Sequence, residues 1–134
     1  MSRRAVLVGL VLAFLLATGS PVPADYVGGG CGTEAFRLTP FASESIAVRG
    51  TVAVLTPKIY NQQSYKAQIA IFSVETADVR FWMDGSAPTA TAGHVMKAGD
   101  YFSLCSPSMI ERFKATRASA TDAIVRVTYF AEQR

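Results

Sequence analysis

The sequence predicts an all-β protein: a single small antiparallel β-sandwich, immunoglobulin-like or jelly-roll-like, behind a hydrophobic N-terminal segment. Three observations lead there. Between Ser45 and Tyr129, β-branched and aromatic residues recur at about every second position in short runs, the period of a strand with a buried face. Gly, Pro, Asn, Asp and Ser gather between those runs, where turns require them. Half of the 134 residues are apolar and only 17% are charged, a composition that can bury a core.

The N-terminal 24 residues stand apart. Arg3 and Arg4 precede an apolar run from Ala5 to Ala17, and Thr18-Gly19-Ser20-Pro21 ends it. Val22-Pro23-Ala24 places small residues where a signal peptidase reads, so residues 1–24 read as a signal peptide cleaved near Ala24. The alternatives are a hydrophobic arm retained against a neighbouring subunit, or a start codon placed too early. The run is shorter than the ~20 residues that span a bilayer. Residues 25–44 form a Gly-rich linker or arm, since Gly28-Gly29-Gly30 and Gly32 leave the backbone too free to hold an element unaided. The sandwich domain is placed at residues 45–134.

Within that domain, Ile46, Val48, Thr51, Val52, Val54 and Leu55 predict a first strand, bent at Gly50 and stopped by Pro57. Asn61-Gln62-Gln63-Ser64 is a polar turn. A second strand runs from Tyr65 to Val74, and a third from Ala77 to Met83, with Val79, Phe81 and Met83 alternating against Asp78, Arg80 and Trp82. Asp84 to Gly93 is a loop. His94–Met96 and Tyr101–Leu104 bracket a tight turn at Lys97-Ala98-Gly99-Asp100. Ser106 to Arg112 predicts one helical turn, with Ser106 as cap and Pro107 at the first helical position. Phe113–Arg117 and Ala123–Phe130 close a set of six or seven strands.

Charge narrows the partners. Thirteen basic residues stand against ten acidic ones, and without Arg3 and Arg4 eleven stand against ten. Nucleic acid is therefore not an expected partner, because phosphate contacts need clustered Lys and Arg. Cys31 and Cys105 are the only cysteines and form a candidate disulfide if the chain is exported. With a single histidine, His94, they fall short of the four ligands of a structural zinc site, and no metal or other cofactor is expected.

The most informative stretch is Val79-Arg80-Phe81-Trp82-Met83-Asp84-Gly85-Ser86-Ala87-Pro88-Thr89. Asp84-Gly85 supplies a turn, Asp84 can accept loop amides, and Pro88 stiffens the return. Gly93-His94, Ala98-Gly99-Asp100, Ile110 to Ala115 and Val127-Thr128-Tyr129 follow in order. Together these elements resemble a group of small β-sandwich virion proteins of tailed bacteriophages, over roughly Ile46 to Phe130. The resemblance implies a non-enzymatic minor head or tail component in several copies, contacting capsid or tail subunits. The Asp84-Gly85 to Pro88-Thr89 fragment alone also resembles the immunoglobulin-like C-terminal modules of secreted chitin- and hexosamine-processing enzymes. That alternative implies an exported module, secreted or periplasmic, binding carbohydrate or cell-surface material.

Catalytic readings compete poorly with turn chemistry. Asp84, Gly85, Pro88, Thr89, Gly93, His94, Gly99 and Asp100 are explained as turn and loop residues, and no catalytic residue is assigned. Asp84 with Asp100 as a carboxylate pair, or His94 with Cys105 as a nucleophilic pair, are the enzymatic alternatives. Arg80, Trp82 and Tyr101 form the candidate contact surface, with Trp82 and Tyr101 as aromatic anchors.

Overall fold

The computed structural model describes residues 31–32 and 37–132; the expected signal peptide or arm at residues 1–24 lies outside the described residues. In chain order the elements are β1 (Thr39–Val48), β2 (Ala53–Val54), α1 (Pro57–Tyr60), β3 (Ile69–Glu75), β4 (Val79–Trp82), β5 (His94–Met96), β6 (Tyr101–Leu104), α2 (Pro107–Arg112), β7 (Lys114–Arg117) and β8 (Ala123–Ala131). They form two four-stranded sheets, ordered β1-β8-β3-β6 and β2-β7-β4-β5, in which every paired strand is antiparallel.

The pairing follows one rule. β1 pairs with β8, β2 with β7, β3 with β6 and β4 with β5, so the chain is doubled back at the β4–β5 loop. Rolling up that long hairpin adds two seams, β3 with β8 and β4 with β7. Eight strands wound this way are a jelly roll, which decides between the two sandwich types the sequence left open.

Alternation fixes which face each strand buries. In β8, Ala123, Val125, Val127, Tyr129 and Ala131 point inward, while Ile124, Arg126, Thr128 and Phe130 point outward. In β3, Ala70, Phe72 and Val74 are inward, and in β4, Val79 and Phe81 are. The sheets meet through an aromatic group. Phe81 lies 4.8 Å from Phe102 and 5.8 Å from Phe113, and Phe72 lies 4.9 Å from Phe113, between ring centroids. Each large side chain buried there contributes about 1.5–3 kcal/mol.

Several elements differ from the sequence reading. The chain expected as one strand over Ser45 to Leu55 is two. β1 starts at Thr39, inside the expected linker, and ends at Val48. Gly50 then lies in the crossing to β2 in the opposite sheet rather than at a bend within one strand. Pro40 is tolerated because β1 is an edge strand, and the register shifts between Pro40 and Ala42, leaving Phe41 to stack on Tyr65 at 5.2 Å. The turn at Lys97–Asp100 also joins different sheets instead of closing a hairpin. It is held by the Lys97 amide donating to Asp100 Oδ2 (2.7 Å) and the Gly99 amide donating to the Val74 carbonyl (2.8 Å). α2 forms as expected, with Ser106 Oγ accepting the Met109 amide at 3.2 Å.

The two ends of the roll differ in chemistry. The β1–β2, β3–β4, β5–β6 and β7–β8 connections are short and charged: Asp122 accepts Arg117 (2.7 Å), and Asp78 accepts Lys97 Nζ (2.8 Å) and the Ala98 amide (2.9 Å). Those donors, the lysine first, hold the Asp78 carboxyl below its ordinary range. The opposite end carries α1, α2, the β4–β5 loop and a Cys31–Cys105 disulfide that ties the approach to β1 onto the residue after β6.

A second fastening lies inside. The Tyr129 hydroxyl donates to Glu44 Oε1, which also accepts the Thr56 amide at 3.1 Å, so one carboxylate joins β1, β8 and the approach to α1. Burial, then the bond to Glu44, pushes the Tyr129 phenol far above the usual tyrosine range.

Two outcomes follow. Replacing Tyr129 by Phe leaves Glu44 short of a donor and is expected to cost about 1–3 kcal/mol in urea unfolding at pH 7. A phenol whose folded value is raised stabilises fully below its unfolded value of about 10. Wild-type stability should therefore fall as pH rises above that value, and Tyr129→Phe should flatten part of the fall. Separately, Cys31→Ser with Cys105→Ser opens a loop spanning 74 residues, and loss of about 4 kcal/mol is expected in non-reducing buffer. A denaturation midpoint unchanged by that pair of substitutions would contradict the disulfide.

Candidate functional site

The β4–β5 loop is a self-supporting unit, and its parts are the residues singled out in the sequence. At the exit of β4, Asp84 Oδ1 accepts the Ser86 amide at 2.8 Å, which draws the Asp84 carboxyl below its ordinary range. Gly85 follows with φ +94°, where a side chain would be strained. Pro88 is buried. Thr89 Oγ1 then accepts the Ala92 amide at 3.0 Å, turning the chain back toward β5.

Arg80 binds the loop to the sheet. Its Nε donates to the Ala90 carbonyl (2.8 Å) and its Nη1 to the Gly93 carbonyl (2.9 Å). Gly93 is required twice over: its φ is +128°, and a Cβ there would stand 3.1 Å from the Phe81 carbonyl and 3.3 Å from Pro88. The loop thus closes onto the backbone of β4. Arg80, expected as a contact residue, is committed to loop support.

The remaining candidates fall in separate places. Trp82 is half-buried on the outer face of the β2-β7-β4-β5 sheet, with the His94 ring edge-on at 4.9 Å. His94 also packs 5.4 Å from Phe81. Tyr101 is 61% exposed but belongs to β6 in the other sheet, so it shares no face with Trp82. Tyr129 is fully buried. The catalytic alternatives are not assembled. Cys105 sulfur is bonded to Cys31, and Asp84 and Asp100 lie at opposite ends of β5. Gly99 (φ +94°) and Asp100 shape the β5–β6 turn. Among the described residues, no three His, Cys, Asp or Glu side chains converge as metal ligands.

The outer face around Trp82 carries what sequence reasoning missed. Because Ala53 and Ala115 pair inward, their neighbours Val54 and Lys114 point outward, and Lys114 pairs with Trp82. The next row holds Thr116, Arg80 and Val95. Val52, Val54 and Val95 are 42%, 55% and 43% exposed. Nothing in the order of residues shows that β2, β7, β4 and β5 are neighbours, so this surface was invisible before the fold. A shallow cleft of about 390 Å³ lies beside the disulfide, lined by Leu38, Gln68, Ile69 and Pro107 among others. Next to it a polar cleft of about 320 Å³ includes Lys66, whose ammonium is already paired with Glu111 at 3.0 Å.

The fold and this surface define a class: a disulfide-tied jelly-roll domain with a braced β4–β5 loop beside a sheet face that bears Trp82 and Lys114. No protein-family model, curated protein or solved structure matches the chain.

Gly93→Ala is expected to destabilise by about 1–3 kcal/mol, through positive φ and the close approach to Phe81. Arg80→Ala should remove two charge-assisted bonds and cost about 2–4 kcal/mol. Its second signature is faster amide exchange at Ala92, with protection in β8 unchanged after correction for global stability. Uniform loss of protection would argue that Arg80 does not act on the loop.

Proposed function

We propose that this chain is a non-enzymatic structural protein of a bacteriophage virion, a minor head or tail component that attaches through protein–protein contacts. The observation that carries the reading is the exposure of Val52, Val54 and Val95 at the two edges of the sheet whose central strands carry half-buried Trp82 and Lys114. Jelly rolls serve capsids and lectins alike, and the fold is compatible with the reading. The sequence elements that resemble virion sandwiches occupy coherent structural roles: the braced loop, the β5–β6 turn, the α2–β7 passage and the inner face of β8. His94 packed on aromatic rings and Cys105 held in a disulfide favour a passive role.

One observation favours a second reading. A Cys31–Cys105 bridge persists in oxidising compartments, which suits an exported binding module. The two separate by location. In the virion reading, mass spectrometry of gradient-purified phage particles from the strain carrying the gene finds the chain at a constant ratio to the major capsid protein. Recovery only from periplasm or culture medium, with an N-terminus at Asp25, would replace it with the exported module.

A further inference from the structure

We infer that two copies of this chain pair through the free edge of β1, antiparallel about a twofold axis at Ser45, so that their β1-β8-β3-β6 sheets run on as one. Each sheet of the roll ends in two edge strands. β2 has two residues, β5 three and β6 four, and edges that short are poor templates for another strand. β1 has ten. Its start is blunted, because Pro40 lacks an amide hydrogen and the register shift between Pro40 and Ala42 breaks the ladder. From Ala42 to Val48 the pairing with β8 is regular, and among the described residues no other backbone hydrogen bond reaches this stretch. About 24 Å of strand thus turns alternate N–H and C=O groups away from β8, with no Lys, Pro or bulge along it to keep another strand off.

The side chains make this edge self-matching. Val48 is buried, so alternation puts Glu44 and Ile46 on the inner side and leaves Ser43, Ser45 and Ala47 outside, all three exposed. Glu44 is the one charged residue of the strand, and the Tyr129 hydroxyl and Thr56 amide draw its carboxylate into its own chain. Opposed residues of an antiparallel pair share a face, so the twofold axis must pass through a pair of identical residues. An axis at Ser45 uses the whole regular stretch: Ser45 meets its image, Ser43 meets Ala47, Glu44 meets Ile46, and Ala42 meets Val48. Every outward pair is then small and neutral, and Glu44 does not oppose its own image. Such a contact is isologous and closes at two copies. The same flank carries a second reason to be covered: β2 packs beside β1, and Val52 and Val54 are exposed there. A foreign partner would have to supply an unpaired strand, whereas a second copy brings one of matching length and neutrality. The pairing needs only two copies, in a virion or outside the cell.

The test uses the purified full chain with its disulfide intact. Sedimentation across roughly 1–100 μM should show monomer passing to dimer. Ser43→Lys with Ala47→Lys sets two like-charged pairs across the axis and should raise the dimer dissociation constant about fivefold or more. Ser43→Lys with Ala47→Glu sets two opposite-charged pairs instead and should return it to within about threefold of wild type. Ser103→Lys, on the short edge β6, should change it less than about twofold. Melting curves verify that each variant folds. A short thiol-reactive crosslinker should give about tenfold more covalent dimer with Ser45→Cys than with Ser103→Cys, because only the former meets its own image within reach. A wild-type chain that stays monomeric throughout that range would overturn the pairing, as would a dimer that the double-lysine variant leaves unweakened. Equal weakening by the Lys/Lys and Lys/Glu variants would overturn the antiparallel register. None of these failures touches the virion reading, which the composition of purified particles decides.

Discussion

The contact of Phe81 in one sheet with Phe102 in the other, extended to Phe72 through Phe113, is the constraint on which the rest of this protein depends. Two four-stranded sheets cannot each bury one face unless their inner side chains interdigitate across about 10 Å. Aromatic rings span that gap, and their tilted packing sets the relative placement of β3, β4, β6 and the start of β7. Once these inner positions are fixed, strict alternation assigns every neighbour to the outside. Trp82 and Arg80 face outward because Phe81 and Val79 face inward.

Topology then determines what gathers at each end. Folding the chain at the β4–β5 loop and rolling it up collects four short charged connections at one end and the helices, disulfide and long loop at the other. The charged end is largely self-satisfied through Asp78, Asp122 and their cations. The long edge strand β1 is braced by α1, which packs against it, and by Glu44, whose carboxylate accepts both the Thr56 amide and the Tyr129 hydroxyl. Both devices turn polar groups inward, to shape.

The β4–β5 loop shows the same economy. Asp84, Thr89 and Arg80 are reactive or recognition-capable side chains in other settings, yet here each is bonded to loop backbone. Such a loop holds its form without a ligand, and so does the sheet face beneath it. A preformed surface loses little entropy on docking, the property on which the proposed attachment role would draw.

The sequence by itself determined the local chemistry. Alternation in β4 set Val79 and Phe81 apart from Arg80 and Trp82, because the period of a strand is a property of its own backbone. Ser106-Pro107 marked α2, and Asp84-Gly85, Gly93 and Gly99 marked turns, because caps and positive φ are satisfied within a few residues. Only the tertiary structure decided that Ser45 to Leu55 is split between two sheets at Gly50, that the sandwich is wound as a jelly roll, and that Trp82 faces Lys114 rather than Tyr101. Those facts depend on which strands become neighbours. That choice is made by packing between residues far apart in the chain, and a single sequence carries no local mark of it.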